Sequence, residues 1–102
     1  MMLPEISADK SQTMMVGAET KVSALASAIA IALQEDGGTV ELQAIGAAAV
    51  NAAVKGVAAA RHFLKEEGLD CYLLPAFIDV TGRDGESLVA IHFRVNTWDT
   101  EQ

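Results

Sequence analysis

Three sets of residues in this chain could do chemistry: one thiol with two imidazoles, two carboxylate pairs, and seven lysine and arginine cations. Cys71, His62 and His92 are possible metal ligands. None stands in a ligand-pair spacing such as C-x-x-C or H-x-x-x-H, so no metal centre is expected. Cys71 as a nucleophile would need a base and an orienting group, and His62 or His92 could approach it in space. No local signature supports that, and Cys71 reads more simply as a small hydrophobe in a strand, with His92 on a solvent-facing strand position. The pairs Glu35-Asp36 and Glu66-Glu67 stand at predicted helix ends beside glycines. They read as solvated termini rather than an acid–base dyad, although carboxylates at a helix C-terminus run against the macrodipole. No enzyme activity and no cofactor are expected.

The cations are Lys10, Lys21, Lys55, Arg61, Lys65, Arg83 and Arg94. They could form one surface only if the fold gathers the elements that carry them. Gly46 offers a different kind of site. A strand ends at Ile45 and a helix begins at once, so free backbone N–H groups point outward and can hold an anion or phosphate. The run Gly46-Ala47-Ala48-Ala49 has neither the lysine nor the later glycines of a P-loop or dinucleotide fingerprint. A small-ligand role at that turn is a further reading.

The elements that must position these groups follow from periodicity. Thr13 to Val16 is short and apolar and reads as a first strand, ended by Gly17. Val22, Leu25, Ile29 and Leu33 recur at helical steps, and the alanines between them favour a helix, with Thr20 or Ser23 as its cap. Gly37-Gly38 ends it. Thr39 to Ile45 alternates and reads as a strand. Ala47 to Leu64 reads as a long helix, and Gly56 inside it points to close packing against a neighbour. Leu69 to Val80 is strand-like, with Pro75 marking an edge or a bend. Gly82-Arg83-Asp84-Gly85 is a hairpin turn. Ser87 to Val95 alternates, Val89, Ile91, Phe93 and Val95 facing one way and Ala90, His92 and Arg94 the other. The order βαβαββ predicts an α+β two-layer sandwich, with two helices packed on one face of a four-stranded mixed sheet. Residues 1–12 read as a loose extension, 13–97 as a single domain, and 98–102 as an acidic tail.

Composition narrows the function. The chain has 102 residues, 51% of them hydrophobic and 21% charged, as in an ordinary globular domain. With 7 basic and 14 acidic residues its net charge is −7, so it is no bulk polycation coating nucleic acid. No stretch is long and apolar enough for a membrane span, and the N-terminus has no secretory h-region. The single cysteine allows no internal disulfide. A cytoplasmic location and no membrane partner are expected.

The run from Gln43 through Gly46, Asn51, Lys55 and Gly56 to Phe63 closely resembles the bacterial stage V sporulation protein S family. So does Leu74 to Val80 with its Asp84-Gly85 turn. That family looks like the Alba-type fold of small chromatin and RNA-binding proteins. The resemblance implies a small dimeric nucleic-acid-binding module linked to sporulation or related developmental regulation. In Alba-like proteins the loop before the first helix, the start of the second helix and the terminal hairpin contact nucleic acid. Carried onto this chain, those positions are Lys21, Gly46 to Asn51 with Lys55, and Arg83. The first loop holds one lysine beside Glu19, the second helix starts with three alanines, and Arg83 is followed by Asp84 and Glu86. Few counterions would be released, so binding to DNA or RNA is expected to be weak and salt-sensitive. The alternative is a protein-interaction or oligomerisation module of the same fold that makes no nucleic-acid contact.

Overall fold

The computed structural model describes residues 13–35 and 38–100. The expected extension 1–12 with Lys10, the pair Asp36 and Gly37, and the last two residues of the tail lie outside them. The element order is β1 (Thr13–Val16), α1 (Val22–Glu35), β2 (Thr39–Ala44), α2 (Ala47–Lys65), β3 (Leu69–Thr81) and β4 (Ser87–Asp99). This is the predicted βαβαββ sequence. The strands form one sheet in the order β1-β2-β4-β3. β1 and β2 pair in parallel, while β4 pairs antiparallel with both β2 and β3.

Alternation decides what each strand buries. Val40, Leu42 and Ala44 of β2 are opposite Val95, Phe93 and Ile91 of β4, and this face packs under the helices. Leu25, Ala26, Ile29, Ala30 and Leu33 of α1 meet it, as do Ala49, Ala52, Ala53, Val57, Ala60 and Leu64 of α2. Six of those eleven helical residues are alanines, so the layers approach closely. Gly56 shows how closely: a Cβ built there would lie 2.6 Å from Leu25 Cδ2, as the mid-helix glycine led one to expect.

Both helices run in the same direction. Leu25, near the start of α1, touches Gly56 midway along α2, and Ile31 and Gln34 share a groove with Phe63 and Glu67 further on. The N-termini of α1 and α2 therefore stand at one end of the sheet, beyond Val16 and Ala44, and their C-termini at the other. β4 carries four residues past the end of β2, Ser87 to Ala90. At about 3.4 Å per residue the hairpin projects roughly 14 Å beyond the helix-start end. Phe77, on its helix-side face, is 80% exposed.

β3 is an edge strand, as Pro75 foretold, and its open side is blunted. Asp70 Oδ1 accepts the Cys71 amide at 2.8 Å, and Pro75, four residues on and facing the same side, has no amide to offer.

Two sequence expectations need correction. The Lys21 carbonyl accepts the Leu25 amide at 3.0 Å, so Lys21 itself is the N-cap of α1. Thr20 is not the cap, because its Oγ1 accepts the Gly17 amide at 2.8 Å and closes the preceding loop. β4 runs past the predicted strand end at Val95 and takes in residues 98 and 99, read as tail, since Leu69 to Tyr72 supply partners for Asp99 to Asn96.

Candidate nucleic-acid interface

Lys21, Gly46, Asn51, Lys55 and Arg83 are all exposed. Four of them belong to segments that the parallel helices and projecting hairpin bring to one end of the molecule. Lys21 caps α1 there. Gly46 caps α2 with φ 92° and ψ 157°, a conformation reserved for glycine, and no side chain bonds the free amides of the first turn. Neither helix has an acidic residue in its first turn. Asn51 lies one turn into α2, and Lys55 follows it on the same stripe. Lys55 is not at the helix start, but its neighbour Gly56 packs on Leu25, so it stands level with the first turn of α1.

Arg83 sits at the hairpin tip. The tip is folded by its own backbone: the Gly82 amide donates to the Glu86 carbonyl at 2.7 Å and the Gly85 amide to the Gly82 carbonyl at 3.0 Å. Gly85 takes the left-handed position at φ 83°. Glu86 Oε1 accepts the Asp84 amide at 3.0 Å, which turns that carboxylate inward rather than onto Arg83.

The ion pairs separate the cations into two groups. Arg61 grips Asp70 with two charge-assisted bonds, Nε–Oδ1 at 2.7 Å and Nη2–Oδ2 at 2.9 Å. That pairing holds the Asp70 carboxyl at about 2, below its ordinary 3.8. On the open face of the sheet, Glu41 takes His92 Nε2 at 2.9 Å and Arg94 Nη2 at 3.5 Å. Lys21, Lys55 and Arg83 make no ion pair among the described residues. Lys65 likewise makes no ion pair among the described residues. Sequence reasoning missed both anchored clusters, which join residues across strands or between helix and edge strand.

The other candidates separate in space. Cys71 is buried on the helix-facing side of β3, and burial pushes its thiol up. His92 is on the opposite face of the sheet, bonded to Glu41, so it is no base for that thiol. His62 lines a shallow hollow of about 160 Å³ on α2 with Ala58, Arg61 and Lys65. Among the described residues no three His, Cys, Asp or Glu side chains are grouped to hold a metal ion, and no helix is long and apolar enough to cross a membrane.

Comparison with known proteins agrees with this architecture. Alba from Thermoplasma volcanium superposes with a TM-score of 0.57 at 14% sequence identity, over 82% of this chain and 98% of that one. At that identity the likeness establishes the fold. The family model for stage V sporulation protein S (SpoVS) matches residues 12–98. With its βαβαββ sandwich, its Alba-like shape and a match over most of its length, the chain belongs to the stage V sporulation protein S family.

Proposed function

We propose that this protein is a non-catalytic regulator that binds the phosphate backbone of nucleic acid as a homodimer or higher homo-oligomer. One observation carries the reading. The helix-start end combines an α2 N-terminus that has no side-chain cap with Lys21, Lys55 and Arg83, cations that make no ion pair with a described carboxylate. Backbone amides and unpaired cations are sequence-independent phosphate contacts, and they position a protein on DNA or RNA without specifying sequence. Asn51 is the one side-chain amide in that stretch of α2, so base reading has little to work with. The family's tie to sporulation supplies the regulatory setting, and the cytoplasm is the compartment that fits it.

Self-association is part of the proposal because one copy offers few cations against a net charge of −7. A groove of about 490 Å³ beside the edge strand, lined by Val54, Val57, Tyr72, Leu73 and Trp98 among others, supports a second copy on that side. If all three cations of both copies meet phosphates, log K against log salt on duplex DNA should fall with a slope of roughly −5. Fluorescence anisotropy with labelled single- and double-stranded DNA and RNA, at low and moderate salt, tests this. Binding at low salt that fades at moderate salt is expected. No binding at low salt by folded protein would remove the proposal.

A second reading keeps the fold and drops the nucleic acid: an interaction or oligomerisation module in sporulation or developmental regulation. The exposed Leu74 and Phe77 of β3 and Val89 of the projecting part of β4 favour it. An oligomer that persists in sizing experiments while every oligonucleotide fails to bind would select this reading.

A further inference from the structure

Away from the proposed interface, the seam between α1 and α2 opens into a groove of about 270 Å³. It is lined by Ser27, Ala30, Ile31, Gln34, Phe63 and Glu67. Ile31 and Phe63 are its apolar walls, 55% and 49% exposed. Both face away from the sheet, so folding of one copy gives no account of them. Two large apolar side chains in a concave seam, rimmed by polar ones, have the form of a docking site for another chain.

Charge selects the occupant. Glu67 lines the groove, and the exposed Glu35 and Glu66 stand at the ends of α1 and α2. The parallel helices bring both negative dipole ends to this same end. Among the described residues the nearest cations, Arg61 and Lys65, line a separate hollow on the other flank of α2 with His62, and Arg61 is held by Asp70. Glutamates at a helix C-terminus do nothing for the helix, and here they surround an apolar slot. A second copy meeting this groove across a two-fold axis would bring the acidic rims of the two grooves together. Nucleic acid and anionic membranes are repelled for the same reason. The seam between two parallel helices accommodates a third helix by ridge-into-groove packing.

We infer that this groove docks a basic amphipathic helix of a partner protein, its apolar stripe on Ile31 and Phe63 and its lysines or arginines against Glu35, Glu66 and Glu67. The inference does not depend on the nucleic-acid reading, which concerns the opposite end.

The test uses the full ¹⁵N-labelled chain and three synthetic helical peptides. The first carries leucines at i, i+4 and i+7 with lysines on its other face. The second keeps the leucines and replaces lysine by glutamate. The third scrambles the first so that no stripe forms. The basic amphipathic peptide should shift the amides of Ile31, Gln34, Phe63 and Glu67. Phe63→Ala should weaken it about tenfold, and so should Glu66→Lys with Glu67→Lys. Each replaces exposed side chains, and an unchanged melting curve checks that the fold is intact. Equal binding of the acidic peptide, equal binding of the scrambled one, shifts centred on Tyr72 and Trp98, or no binding at all would each overturn the inference. So would loss of a dimer on Phe63→Ala, which would make a second copy the occupant.

Discussion

The two ends of the helical pair are charged in opposite senses, and both against the helix dipole. At the start, Lys21 caps α1, α2 has no side-chain cap, and neither first turn holds a carboxylate. At the finish stand Glu35, Glu66 and Glu67, with His62 and Lys65 as the basic residues in the last turn of α2. Helix stability favours the reverse arrangement, each charge near a terminus being worth about 0.3–1 kcal/mol. Charges and dipoles therefore add instead of cancelling. A chain of net charge −7 can in this way keep unpaired cations and free helix-start amides at one end, although Glu19, Asp84 and Glu86 stand on the same loops. Composition excluded a bulk polycation, and the placement of charge reopened the question for one face.

The largest effect should come from inverting the positive end. Lys21→Glu with Lys55→Glu should abolish anisotropy-detected binding at low salt, a loss of at least a hundredfold. Because both lysines are exposed, stability should change by no more than about 0.5 kcal/mol. A denaturant midpoint on the same sample separates lost binding from lost fold.

Backbone changes at the same end come next. Gly46→Ala should cost about 1–3 kcal/mol in urea unfolding. An added Cβ meets nothing within 4 Å, so the cost is conformational. Gly56→Ala should cost about 1–2 kcal/mol, for the opposite reason. Its φ is ordinary and alanine suits a helix, but the new methyl presses on buried Leu25. Restoring stability by adding Leu25→Val or Leu25→Ala to Gly56→Ala would identify the overlap as the cause.

The smallest effect sharpens the contrast between anchored and free cations. Asp70 is held at about 2 by Arg61, against an ordinary 3.8. A depressed carboxyl adds stability above its unfolded value and loses it on protonation. The contribution should be present above about pH 4 and disappear as pH falls toward 2. Asp70→Asn should flatten that limb of the melting temperature against pH, with little change in nucleic-acid binding. A binding loss would place Arg61 among the contacting cations.

Most of the architecture was legible because local patterning and burial agree. The alternation of Thr39 to Ala44 and the three–four spacing of Val22 to Leu33 each match one face of one element. Pro75 and Gly56 announced an edge and a close contact before either partner was known. The end of β4 was not legible. Asn96 to Asp99 is polar with one tryptophan, and it is a strand because Leu69 to Tyr72 lie alongside it. The N-cap was misread because Thr20 spends its hydroxyl on Gly17. In the candidate site, the sequence named the cations but not which were free. Arg61 and Arg94 differ from Lys55 and Arg83 only through Asp70 and Glu41, whose proximity is set by a strand edge and a register that no local pattern encodes.

The most direct measurement is a ¹⁵N–¹H titration of the full chain with a short duplex oligonucleotide at low salt. Amides of Lys21, Gly46 to Asn51, Lys55 and Arg83 to Gly85 should shift together, while those of Gln34, Glu35, Phe63 and Glu66 to Gly68 stay in place. Shifts confined to the glutamate end, or none on either end, would contradict the account.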